Sequence, residues 1–173
     1  MKNFNHHFYY FTFIIFISCG SVSDYSNNTL NKSYYENKTI YFILNSNSKK
    51  EVTMSGMYGT TAFDDGYKLN IENSFKESIE ELGTETKLKL KNIKNIDNLS
   101  NNEILVNVEI SDILWHFGFS IATLKTKVTY KIQNIDKIYN TEGIRKSGGG
   151  SKSNNLKKSL KNANYKFLKE FEK

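Results

Sequence analysis

Few side chains in this 173-residue sequence are of the types that make or break covalent bonds. There is one cysteine, Cys19, and there are three histidines, two of which (His6 and His7) lie in the first seven residues. A paired-histidine zinc motif such as HExxH needs two imidazoles on one helix face, and beyond the leader the chain holds only His116. A Ser-His-Asp triad would have to be built on His116, and no GxSxG elbow accompanies it. His116 stands between Trp115 and Phe117, where a structural role is the simpler reading. Asp64 and Asp65 form a carboxylate pair, but Gly66 follows at once and the triplet reads as a turn. Residues 148–153 (GGGSKS) invite comparison with a phosphate loop. That loop requires Gly-Lys-Ser/Thr after its spacer, whereas Lys152 follows Ser151, so the pattern fails. A glycine-rich lead into a helix binds anions weakly at best, and a flexible connector is the simpler reading. Neither a catalytic set, nor a metal-ligand set, nor a cofactor motif emerges, and a non-enzymatic role is expected.

The chemistry that the sequence does support is at Cys19. Lys2 and the amino terminus precede a ten-residue apolar and aromatic run, residues 8–17 (FYYFTFIIFI), broken only by Thr12. A short basic stretch, an apolar run and a zone of small residues describe a secretory signal. The run is about half the ~20 residues that a transmembrane helix requires. Phe16-Ile17-Ser18-Cys19 resembles a bacterial lipobox, in which an apolar residue, a loose position and a small residue precede the cysteine to be modified. That resemblance implies a diacylglyceryl thioether on Cys19, cleavage that makes Cys19 the new amino terminus, and a further acyl chain such as palmitate on its amine. Two or more chains hold a protein on a bilayer stably, whereas one is marginal. Ordinary cleavage after Gly20 is the rival reading.

Composition narrows the rest. The 24 Lys+Arg against 18 Asp+Glu give a formal charge of +6, which falls to +5 when cleavage removes Lys2 and no acid. Lysine supplies 23 of the 24 basic residues, asparagine is abundant and proline is absent, as A+T-rich codons would write. The basic charge is therefore discounted as a signal for nucleic acid, which a secreted chain does not meet. One cysteine excludes an intrachain disulfide.

Three segments follow from these readings: a signal peptide at 1–18, the lipidated cysteine with a flexible polar tether at 19–37, and a single domain at 38–173. Within the domain, 39–45 (TIYFILN) reads as a short buried strand. Residues 52–61 read as a weaker strand or loop. Ile71, Phe75, Ile79 and Leu82 form an apolar stripe at helical spacing, so a helix is predicted over 70–82, with Asn70 as N-cap and Gly83 closing it. From Thr86 the period becomes two. Leu88 and Leu90 alternate with lysines; 104–110 and 124–132 alternate in the same way, and 134–146 supplies a further strand. Leu156, Leu160, Ala163, Phe167, Leu168 and Phe171 mark a closing helix with Ser153 as its N-cap. The first helix is acidic and the second rich in lysine, so they attract when packed together. The order β-α-β-β-β-α predicts an α+β fold, a two-layer sandwich of a mostly antiparallel sheet with two helices on one face.

Two surface features stand out. Lys87, Lys89 and Lys91 share one side of a predicted strand, and Lys125, Lys127 and Lys131 share one side of another, a candidate surface for anionic lipid or a partner, with Glu109 offsetting some of the charge. Leu114–Phe119 reads as an aromatic reversal in which Trp115 and Phe117 are candidate contacts for a bilayer interface or a partner, or fold back on the core. With a lipobox leader and a polar tether, the helix ending Ile79–Gly83, the strands 104–110 and 124–132 and the closing helix resemble small outer-membrane lipoproteins of the YajG-like and LptE-like type. The resemblance implies a lipid-anchored protein of the cell envelope, on the periplasmic or surface side of the outer membrane, with an accessory, structural or lipid- or partner-binding role. A surface-exposed lipoprotein that binds a host or environmental ligand is the alternative.

Overall fold

The apolar stripe from Ile71 to Leu82 does form a helix, and it runs further than its last stripe residue. The computed structural model describes residues 23–56, 61–62, 69–96 and 98–173. The leader, Cys19 and the Asp64–Gly66 turn lie outside the described residues. Helix α2 spans Ile71–Thr86; Asn70 caps it by accepting a hydrogen bond from the Asn73 amide, as its position predicts. Gly83 does not end the helix. It lies buried inside the last turns, where a Cβ would stand 3.2 Å from the Leu88 carbonyl oxygen, so its role is close approach of the following strand. The chain leaves the helix at Lys87, in the left-handed conformation (φ 60°), with its amide bonded to the Gly83 carbonyl. Left-handed backbone is costly for any residue with a Cβ. Lys87→Gly is therefore expected to raise stability by about 1 kcal/mol, read as a higher midpoint in urea.

Helix α3 spans Lys152–Phe171 and is capped by Ser151, two residues ahead of the predicted Ser153, through the Asn154 amide. A four-residue helix, α1 (Lys32–Tyr35), lies near the N-terminus. The strands are β1 (Thr39–Leu44), β2 (Thr53–Gly56), β3 (Thr61–Ala62), β4 (Lys89–Asn92), β5 (Glu103–Phe117), β6 (Ala122–Ile132) and β7 (Ile138–Ser147), joined in one sheet. The fold is α+β, a sheet with α2 and α3 packed on one face. Strand β5 is the spine: β6 lies antiparallel along one side and β7 follows β6, while β1 and then β2 line its other side. The long β5–β6–β7 meander is antiparallel, as the sequence predicts. The pairings of β1 with β4 and β5, and of β2 with β5, are parallel. The reason is α2, which carries the chain back across the sheet between β1 and β4.

Alternation sets the two faces. Leu124, Thr126, Val128 and Tyr130 turn to the helices and are buried, with Phe42, Phe75, Leu160, Phe167 and Leu168 around them. Tyr130 stacks on Phe167 at 4.3 Å, and its buried hydroxyl donates to Asn164 Oδ1 at 2.8 Å. Asn164 in turn donates to Ser78 Oγ at 3.0 Å, so a polar chain ties β6, α3 and α2 together with its groups satisfied. Burial of each large apolar side chain contributes about 1.5–3 kcal/mol.

The predicted tether is folded from residue 23 onward. Tyr25, Leu30 and Tyr35 are buried members of the core cluster. Tyr25 stacks on Tyr165 at 4.1 Å, its amide donates to Glu85 Oε2 at 2.9 Å, and its hydroxyl accepts from Asn162 at 2.7 Å. Tyr35 donates to the Leu168 carbonyl, and the Asn31 amide donates to Glu172. The polar residues between these anchors conceal a strap of apolar contacts. Residues 23–37 therefore pack on the same core as the other described elements.

Beneath the strap, acidic α2 and basic α3 meet as their charges predict, and the pairing is internal. Lys161 has no exposed surface; its ammonium pairs with Glu81 and lies 2.6 Å from Glu85 Oε1. Lys157 adds a second contact to Glu81 at 2.8 Å.

Candidate functional site

The second face of the sheet carries the side chains that alternate away from the core. Strand β6 presents Lys125, Lys127 and Lys131 there, between buried Leu124, Thr126, Val128 and Tyr130. Strand β4 presents Lys89 and Lys91 on either side of buried Leu90. Five of the six predicted lysines thus share a face. Lys87 does not belong with them, because it is the left-handed residue that ends α2 and precedes the strand. Nor do the two groups form one patch. Strands β1 and β5 lie between β4 and β6, and three strand spacings amount to about 14 Å.

Carboxylates fill the intervening positions. Lys127 is in register with Asp112 on one side and Glu142 on the other. Lys125 approaches Glu142 at 3.5 Å, and Asp112 pairs with Lys49 at 3.0 Å. Lys91 lies 5.7 Å over the Tyr41 ring, and the Tyr41 hydroxyl donates to Glu103 at 2.8 Å. That bond, with one from the Ser100 amide, holds the Glu103 carboxyl below its usual range, the Ser100 amide contributing most. Glu109 faces Thr129 on the same surface. The surface is a mosaic in which five lysines alternate with Glu103, Glu109, Asp112 and Glu142, and half-buried Ile43, Leu114 and Ile144 lie among them. It is not a uniform cationic field. Each exposed pair contributes about 0–1 kcal/mol, so the surface is suited to specificity more than to stability.

The aromatic reversal is built differently from its expected form. Strand β5 continues to Phe117, and the turn falls at Gly118–Ile121, closed by the Gly118 amide on the Ile121 carbonyl. Trp115 is 7% exposed and stacks on Phe117 at 5.0 Å, so both belong to the core side. The aromatic that projects is Phe119, 93% exposed at the hairpin tip. His116 lies on the open face, where Nδ1 is 3.1 Å from Ser55 Oγ at an exposed position. Residues 148–150 connect β7 to the cap of α3, and Asn155 Nδ2 donates to the Gly149 carbonyl at 3.3 Å. A cleft of about 310 Å³ opens where β1 ends and α2 begins, between Asn45, Lys49, Ile71 and Lys94. Among the described residues there is no cluster of three or more histidine, cysteine or acidic side chains placed to hold a metal. Nor is any described helix long and apolar enough to cross a membrane.

No family model matches the sequence, and no curated protein matches it. Three chains of solved structure match. One, described as "Crystal structure of uncharacterized protein", aligns with a TM-score of 0.39 at 7% identity, covering 78% of this chain and 90% of its own.

Proposed function

We propose that this protein is a lipid-anchored component of the bacterial cell envelope that acts by binding, with the open face of its sheet as the binding surface. The observation that carries the reading is the position of Cys19, the single thiol of the chain, directly after a ten-residue apolar run and a lipobox-like triplet. The fold is compatible with it: the described chain starts at the surface, at Ser23 and the exposed Asp24, four residues past Cys19. The mosaic of lysines and carboxylates around Ile43, Leu114 and Ile144 favours another envelope protein over a uniformly anionic lipid layer as the partner, because an anionic lipid surface has no group to answer Glu103, Glu109, Asp112 and Glu142. The outer membrane is the proposed location.

Cys19→Ser tests the reading. It is expected to move the protein from the membrane fraction to the soluble envelope fraction and to abolish the acyl mass on the first peptide. Retention of the variant in the membrane at full strength overturns the proposal.

A further inference from the structure

The strap that replaces the expected tether fixes which way the body faces. Tyr25 crosses the outer surface of α3, stacked on Tyr165 and bonded to Asn162. Leu160, Ala163 and Phe167 point from the opposite side of the same helix into the core. The strap then follows α3 toward its end, where Thr29 meets Tyr165 and Lys169 and the Asn31 amide meets Glu172. The chain thus arrives on the helical layer, on the side away from the open sheet face.

Ser23 lies only four positions past Cys19, a stretch that spans at most about 14 Å. A helix with its side chains is about 10–12 Å across, and the sheet lies beyond it. A lead of that length does not pass around α3 and the edge of the sheet to the far face. The helical layer is also fixed to the sheet edge: Asn162 accepts from the Ile144 amide at 3.0 Å, and Lys166 donates to the Glu142 carbonyl at 2.7 Å. Orientation of the strap is therefore orientation of the whole body.

We infer that the protein stands on its own bilayer by its helical layer, with residues 24–30 and the outer surface of α3 against the headgroups and the open sheet face turned away. The inference rests on the lipid-anchor reading. It assigns Lys89, Lys91, Lys125, Lys127 and Lys131 to a partner beyond the bilayer and withdraws them from the lipid surface that holds Cys19. Acyl chains supply the affinity, since Lys157, Lys161 and Lys169 on the helical side already contact Glu81, Glu85 and Glu172.

The test uses the full chain, lipidated in a bacterial host and reconstituted into phosphatidylethanolamine–phosphatidylglycerol vesicles carrying a headgroup nitroxide quencher. Acylated Cys19 does not label, so one added thiol takes the fluorophore. Lys158→Cys places it on α3 one turn before Asn162, and Thr129→Cys places it on the open face. The expected result is severalfold stronger quenching at position 158 than at 129. Insertion of about 20 Gly/Ser residues after Gly20, with a mean reach of about 25 Å, should erase the difference while the protein still floats with the vesicles. Equal or stronger quenching at 129 in a protein that floats overturns the orientation and leaves the anchor intact. Failure of the unaltered protein to float overturns the anchor reading, and the orientation with it.

Discussion

Replacing Lys161 with alanine is expected to cost the domain about 3 kcal/mol, the low end of the range for removing one partner of a buried ion pair. For a body of this size that corresponds to a fall of about 6–12 °C in Tm. The low end applies because the groups left behind retain contact with water: the side chains of Glu81 and Glu85 are 31% and 17% exposed, whereas Lys161 has none. That asymmetry makes the reverse experiment the harsher one. Glu81→Gln with Glu85→Gln strands a fully buried ammonium and should cost more than Lys161→Ala. The triple change Lys161→Met, Glu81→Gln and Glu85→Gln strands nothing and should recover most of the loss. A double variant no less stable than Lys161→Ala would show that the ammonium is not the group at stake. The strap is coupled to this cluster, because the Tyr25 amide is bonded to Glu85, so its amide exchange should accelerate in each weakened variant.

The same cluster sets an acid limit. Burial alone would raise the Glu81 carboxyl, but hydrogen bonds and charge from Lys157 and Lys161 outweigh it and hold the group below the ordinary 4.5. A carboxyl lowered in the folded state stabilises fully above its unfolded pKa, and the contribution disappears as pH falls through the folded value. The unaltered protein should therefore lose stability as pH falls below about 4.5, and Glu81→Gln should flatten that slope.

How much of this was legible in the residue order depends on local regularity. The stripe of α2, the cap at Asn70 and the alternation of β6 each repeat a pattern that one element imposes on itself, and each is found in the structure. The faces of Lys89, Lys91, Lys125, Lys127 and Lys131 followed from the same period. The neutralising carboxylates did not all follow. A bulge between Ile110 and Asp112 adds one residue to β5, so Asp112 joins Glu109 on the open face although strict alternation puts them on opposite faces. The same extra residue turns Ile113 and Trp115 into the core. Parallel pairing of β1 was hidden because its partners are chosen by the crossover of α2, not by its own sequence. The strap was hidden because Tyr25, Leu30 and Tyr35 are spaced five apart, which matches neither strand nor helix. Complementary charge on the two helices was visible, but nothing marked Lys161 among its neighbours as the one that the strap covers.

Gly143→Ala is expected to be severely disruptive for the addition of a single methyl. A Cβ there would overlap the Ser159 carbonyl oxygen and stand 2.6 Å from Thr126 Oγ1. The first obstacle is helix backbone, which no rotamer change relieves, so α3 must lift from β6 and β7. Overpacking typically costs about 1–3 kcal/mol, and a backbone clash belongs at or above the top of that range. The damage spreads along the seam. Thr126 and Ser159 share a hydrogen bond at 3.1 Å, and Thr141 donates to the Ala163 carbonyl at 3.2 Å. Lifting α3 also removes Asn162 and Lys166 from the outer edge of β7, exposing unpaired backbone groups of the kind that template aggregation. The variant should therefore show faster exchange of the Ile144 amide and concentration-dependent association as well as a lower urea midpoint. Gly149→Ala, where an added Cβ meets nothing within 4 Å, should stay within about 0.5 kcal/mol. If both substitutions prove equally mild, the helix does not sit on β7 as closely as described, and the strap that lies on its outer surface loses its fixed bearing on the sheet.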